Sequence, residues 1–225
     1  MAQSTETEIS SVRISSTTGS VSVVATPGLA AVESNRRPMQ LDGPVATVES
    51  THQRAVVAVP EGMDLVIGTT TGRVEVRGVV GRVAVTTKTG KVEIEDASSV
   101  DVRTVTGRVS IERSRSDALV FSRTGRVEIG HTGSANVTTT TGRIVLSEVA
   151  GPAVAHCASG RIEITMAEAH DVEAETVSGR ITISLPEGVR PRIDTPSGGS
   201  IAVSGDHDCV VTARSGSGRV DVSTR

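Results

Sequence analysis

The chain reads as all-β, a single-chain β-solenoid (β-helix) with about 17–20 residues per coil. Three observations predict this. One short motif recurs at nearly constant spacing, apolar and polar residues alternate beside it, and aromatic residues are almost absent from a chain that is 36% hydrophobic. The motif, (Thr/Ser)-Gly-(Arg/Lys)-(Val/Ile)-x-(Val/Ile/Leu), centres on Gly72, Gly90, Gly107, Gly125, Gly142, Gly160, Gly179, Gly199 and Gly218. The intervals are 18, 17, 18, 17, 18, 19, 20 and 19 residues. A unit of that size cannot bury its own apolar face, so the copies must stack on one another.

Taken in order, residues 1–11 are polar and acidic and are expected to form a flexible tail before a solenoid over 12–225. Residues 12–71 are expected to form irregular first coils, opening with the weaker copy Thr17-Thr18-Gly19-Ser20-Val21-Ser22-Val23. Pro27, Gly28, Asn35, Arg36, Arg37 and Pro38 read as turns and a loop between early coils. Residues 72–225 are expected to form the regular coils, the Gly199 copy carrying Ser200 where the other eight carry a base. Each regular coil holds at least two short strands. One follows the glycine, as in Val92-Glu93-Ile94, and another carries an apolar pair seven and five residues before it, as in Val100 and Val102.

Stacking in register turns each aligned position into a ladder with a rise of about 4.8 Å. Positions two and four after the glycine face inward, so Val109, Val127, Ile144 and Ile162 are expected to form one buried ladder. Positions one and three after it face out. A hydroxyl ladder precedes each glycine directly (Thr71, Thr89, Thr106, Thr124, Thr141, Ser159, Ser178, Ser217). A second lies two residues earlier (Thr87, Thr104, Ser122, Thr139, Thr176, Ser215), with Cys157 interrupting it. Such ladders are expected to satisfy their own hydrogen bonds along the stack. The glycine itself is expected at a corner whose backbone geometry other residues avoid.

Composition supports the narrow tube. There is no Trp, no Tyr and one Phe, Phe121, so Val, Ile, Leu and Ala must fill the interior, where a wide core would use aromatic bulk. A net charge of −3 carries no electrostatic footprint for nucleic acid. No apolar run approaches the ~18 residues of a membrane helix and no secretory leader precedes the repeats. The expectation is a cytoplasmic chain that binds no nucleic acid and does not insert into membrane, with export open if a leader has been removed.

A further landmark is an echo: Val57-Ala58-Val59-Pro60-Glu61-Gly62 reappears as Ile183-Ser184-Leu185-Pro186-Glu187-Gly188, each followed by a Thr-x-(Thr/Ser)-Gly turn. A strand ending in Pro-x-Gly, that turn and Gly-x-(Val/Ile)-x-(Val/Ile) coils together resemble the bacterial DUF4097 family of β-strand-repeat, adhesin-type proteins. The resemblance covers roughly residues 12 to 225 and implies the fold more than the role. Family members often carry Asp after the repeat glycine, where this chain has Arg or Lys in eight of nine copies.

Those bases are the candidate interaction ladder: Arg73, Lys91, Arg108, Arg126, Arg143, Arg161, Arg180 and Arg219. Like charges ~4.8 Å apart in water repel by about 0.9 kcal/mol per pair, so the stripe needs counter-charges. Glu75, Glu93, Glu128, Glu163 and Asp221 stand two residues on, on the same outward face. One reading is a cross-laced structural surface, the other a site for an acidic partner or glycan. His156-Cys157 and His207-Asp208-Cys209 suggest a metal site, but 52 residues, about three coils, would part them by ~14 Å, against zinc bonds of ~2.0–2.3 Å. No catalytic, cofactor-binding or metal residue is assigned. The leading expectation is a non-enzymatic scaffold or protein-interaction module that self-associates through an uncovered C-terminal coil; the alternative is an exported adhesin or glycan-binding surface protein.

Overall fold

A computed structural model describes residues 9–29, 31–34, 40–42, 44–194 and 207–225. The described residues are all strand, turn and bend, with no helix, as the period-two pattern requires. Twelve strands form one mostly parallel sheet: β1 (Ser11–Thr18), β2 (Val21–Thr26), β3 (Glu33–Ser34), β4 (Gln40–Asp42), β5 (Val45–Ser50), β6 (Ala55–Pro60), β7 (Asp64–Val149), β8 (Ala153–Met166), β9 (Val172–Leu185), β10 (Pro191–Asp194), β11 (Cys209–Ser217) and β12 (Val220–Thr224). The expected Gly199 copy lies outside the described residues, as do the residue 1–8 part of the tail and Asn35 to Pro38.

β7 is 86 residues of extended backbone because its repeats run on without a break. The corner glycine explains how it does so. A Cβ on Gly90 would meet Gly72 O at 1.8 Å, one on Gly107 would meet Gly90 O at 1.8 Å, and one on Gly142 would meet Gly125 O at 1.7 Å. Each repeat glycine therefore sits against the carbonyl of the one before, at φ near +150° in most copies, where no side chain fits and few side-chain-bearing residues can go. One repeat is thus one level. Levels pair in parallel and in register, Ile144 with Ile162 and Ile162 with Ile181.

The core is the column set read from the sequence. Val109, Val127, Ile144 and Ile162 are 1%, 0%, 0% and 0% exposed, and Ile111, Ile129, Leu146 and Ile164 are equally covered. At the Gly218 level the same positions, Val220 and Val222, are only half-buried.

Spatial order departs from chain order at both ends. β1 lies between β5 and β7, and β2 between β6 and β7, so the first level in sequence is the second in space. β11 likewise lies between β9 and β10, and Gly218 stacks directly on Gly179, with a Cβ there meeting Gly179 O at 1.8 Å. The expectation that levels stack in chain order is corrected by this, because β9 and β10 pair with the two edges of β11. On β12, β9 pairs with one edge and no described strand with the other. At the opposite end, β3 and β4 run antiparallel along β6 and β5 and cover the outermost parallel strands, which blunts an exposed edge.

The Pro-Glu-Gly echo occupies the two connections that step over a level. Pro60-Glu61-Gly62 leads from β6 past the β1/β2 level into β7, and Pro186-Glu187-Gly188 leads from β9 past the β11/β12 level into β10. Gly62 and Gly188 both adopt positive φ, 76° and 78°. An aspartate ties down each neighbouring junction: Arg82 N donates to Asp64 Oδ1 at 2.7 Å, Val210 N to Asp171 Oδ1 at 2.9 Å and Arg190 N to Asp208 Oδ2 at 2.9 Å.

Candidate functional site

The strand after each corner projects its first and third residues outward, which places the basic ladder and the acidic ladder side by side. Five of the eight bases are laced to them. Arg73 Nε lies 2.8 Å from Glu93 Oε2 one level on, Lys91 also holds Glu93, and Arg126 and Arg161 reach Glu128 and Glu163 at 3.4 Å on their own levels. Arg143 reaches Glu163 across a level at 4.0 Å. Glu75 turns instead to Arg77, at 2.6 Å. The hydrogen bond from Lys91, with the charge of Arg73 behind it, lowers the Glu93 carboxyl below its ordinary value against the opposing effect of burial.

Arg108, Arg180 and Arg219 have no ion-pair partner among the described residues, because Ser110 and Thr182 replace the glutamate on two of those levels and Asp221 stays beyond reach of Arg219. Most of the stripe is therefore neutralised within its own face, and three guanidinium groups keep their full donor capacity.

The hydroxyl column two residues before the exposed Thr/Ser ladder is buried, but it does not satisfy itself as expected. Ser16, Thr69, Thr87, Thr104, Ser122, Thr139 and Thr176 each bury an Oγ with no hydrogen-bond partner. Equivalent atoms one level apart stand at the sheet spacing of about 4.8 Å, beyond hydrogen-bond reach. At the last level a partner exists: Ser215 Oγ donates to Gly179 O, the corner carbonyl of the level before, at 3.2 Å. Cys157 points at the same kind of carbonyl, 3.9 Å from Gly142 O.

Cys157 and Cys209 are both free and buried. Burial raises both thiols, with Asp171 and Asp208 adding to the effect at Cys209. Because Gly218 stacks on Gly179, they stand two levels apart rather than three, on different columns. Among the described residues no three His, Cys, Asp or Glu side chains gather as a metal would require. His156 instead faces Glu175, Nδ1 to Oε2 3.5 Å, and Arg214 reaches the same glutamate at 3.0 Å.

The outward face of the strand before each corner is different in kind. Val105, Phe121 and Val177 are exposed there, Val177 by 69%, and Arg103 lies 5.9 Å from the Phe121 ring centroid. A shallow groove of about 500 Å³ crosses this face, lined by Thr138, Thr140, His156, Ala158, Val177 and Arg214 among others. This face is not legible in the repeat, because its exposed apolar residues are scattered over separate levels and form no continuous ladder. No helix of the described residues is long and apolar enough to cross a membrane.

A mostly parallel sheet of stacked levels with two long outward faces defines a β-strand-repeat protein. The family model described as Toastrack DUF4097 matches residues 2–224, and the chain belongs to that family. Comparison with curated proteins and with solved structures finds no match.

Proposed function

We propose that the levels are the coils of a β-solenoid and that the chain is a non-enzymatic scaffold or protein-interaction module. The observation that carries this reading is the stacking of corner glycine on corner glycine from Gly19 to Gly218, which repeats the same outward positions level after level. Repetition of this kind makes long, even faces, whereas catalysis needs a unique convergence of groups. Within the basic ladder, the contacts for an acidic partner narrow to Arg108, Arg180 and Arg219, whose charges are not spent on neighbouring glutamates.

Self-association at the C-terminal end belongs to the same reading. Val220 and Val222 of β12 are half-buried, so this end offers apolar surface to a partner. Sedimentation of the untagged chain over a wide concentration range, together with affinity capture by the native chain, tests the proposal. Concentration-dependent association, or a stoichiometric protein partner lost on Arg180→Ser with Arg219→Ser, is expected. A strict monomer that captures no protein would overturn it.

The exposed column Thr71 to Ser217 beside the bases favours a second reading, an exported adhesin that binds glycan through hydroxyl and guanidinium pairs. Fractionation of native cells decides between them, since this reading requires the protein outside the cytoplasm.

A further inference from the structure

The strand before each corner glycine carries a charge that changes from level to level, and the order of those charges is self-complementary. On the level of Gly90, Arg82 and Lys88 give +2; on the level of Gly179, Asp171, Glu173 and Glu175 give −3. The next pair of levels outward repeats the relation: Asp64 makes the Gly72 level −1 and Arg214 makes the Gly218 level +1, with β1 and its Arg13 beyond the first and β10 with Arg192 and Asp194 beyond the second. The four levels between, those of Gly107, Gly125, Gly142 and Gly160, are each neutral with histidine uncharged, and they carry the exposed Val105 and Phe121.

We propose that this face binds the same face of a second copy of the chain, with the order of levels reversed. A twofold axis in the plane of the face, along the strands and midway between the Gly125 and Gly142 levels, sets Gly90 against Gly179, Gly72 against Gly218 and Gly107 against Gly160. Opposite charges then meet on the two flanking pairs of levels and neutral levels meet in the centre. Val105 of one copy falls on Ala158 of the other, since both stand two residues before their glycines. The competing arrangement, levels in the same order, would set +2 against +2 and −3 against −3. Charge therefore selects the reversed dimer, as an isologous interface requires of a single self-complementary patch.

Three details support an unmet partner on this face. Lys88, Arg123 and Glu173 have no ion-pair partner among the described residues, whereas Asp101 with Arg103 and Glu175 with Arg214 are paired within this face. Val177, on the acidic level, is exposed by 69% and falls opposite the aliphatic stem of Lys88. Eight levels at about 4.8 Å by some 20 Å of strand give a face of roughly 700 Å² per copy, close to the ~800 Å² per partner of a stable interface.

The inference rests on the interaction-module reading and specifies its partner. Two single-cysteine additions test it, because the native thiols are buried: Val105→Cys and Ala158→Cys. Mixed under mild oxidation, the two variants should form a disulfide-linked dimer, and each alone should not. Separately, Arg82→Glu with Lys88→Glu should weaken the dimer at least tenfold in sedimentation equilibrium at low salt. Adding Glu173→Lys with Glu175→Lys should restore it, with a melt of each variant confirming the fold. A wild-type chain that is monomeric at hundreds of micromolar overturns the proposal, as does a mixture that fails to cross-link. Association that persists unchanged in the charge-reversed variant also overturns it, while leaving the interaction-module reading standing on another surface.

Discussion

At the corner glycine, a missing side chain decides the architecture. In Gly142→Ala the new Cβ would lie 1.7 Å from Gly125 O on a backbone at φ 150°, and neither the carbonyl nor the strand pairing can give way cheaply. We expect a loss of about 2–4 kcal/mol in urea denaturation. Thr139 is the opposite case. Its buried hydroxyl finds no partner, so Thr139→Val should raise stability by up to about 1 kcal/mol, and an equal loss would reveal a hydrogen bond to ordered water. Burial was legible in the sequence at Thr139, because strict alternation fixes which side chains point inward, and the corner at Gly142 was legible from the repeat. Satisfaction of the hydroxyls was not, since it depends on the distance between levels and not on residue type. Cys157 should react slowly with thiol reagents in the native chain, because burial keeps it from forming thiolate.

On the scale of the strand, ion pairs bind neighbouring levels across the charged face, but they are exposed to water. Arg143→Ser should therefore change stability by less than about 0.5 kcal/mol. Acid acts in a definite direction. The folded-state values of Glu93 and Asp208 are lowered, by Lys91 at the first and by the backbone N–H of Arg190 at the second. Whatever stability they contribute is present above the ordinary carboxylate values and is lost as pH falls through the folded ones. A melting series from pH 6 to pH 2 should show a falling midpoint, with a smaller fall in Glu93→Gln. The eight-membered ladder was legible residue by residue. Its division into laced and free bases was not, because Arg73 takes its glutamate from the next level while Glu75 goes to Arg77.

For the whole molecule, the repeat count predicted stacked levels, and the Pro-Glu-Gly echo marked two special places without revealing what was special. No periodicity states that a later segment returns to fill a gap left by an earlier one; that follows only from register, Val211 against Val172 and Cys209 against Pro191. One outcome runs against ordinary intuition about truncation. Removing residues 207–225 takes away the level on which β10 rests, whereas removing 187–225 also removes β10 and leaves β9 as a simple end. The longer deletion should therefore be the more resistant to limited proteolysis, and the reverse result would contradict the interleaved order.

The same interleaving governs how the molecule answers to force. A stack whose ends are its chain termini can be peeled one row of hydrogen bonds at a time from either tip. Here β1, the strand nearest the N-terminus, is held by β5 and β7, and β11, reached from the C-terminus once β12 has parted from β9, is held by β9 and β10, so tension on the termini comes to strands anchored along both edges. Such strands must slide before they lift, and many bonds must fail together. Pulled by its ends, the chain should resist as a clasped object, with high rupture forces at β1 and β11 and lower ones once the first clasp has opened.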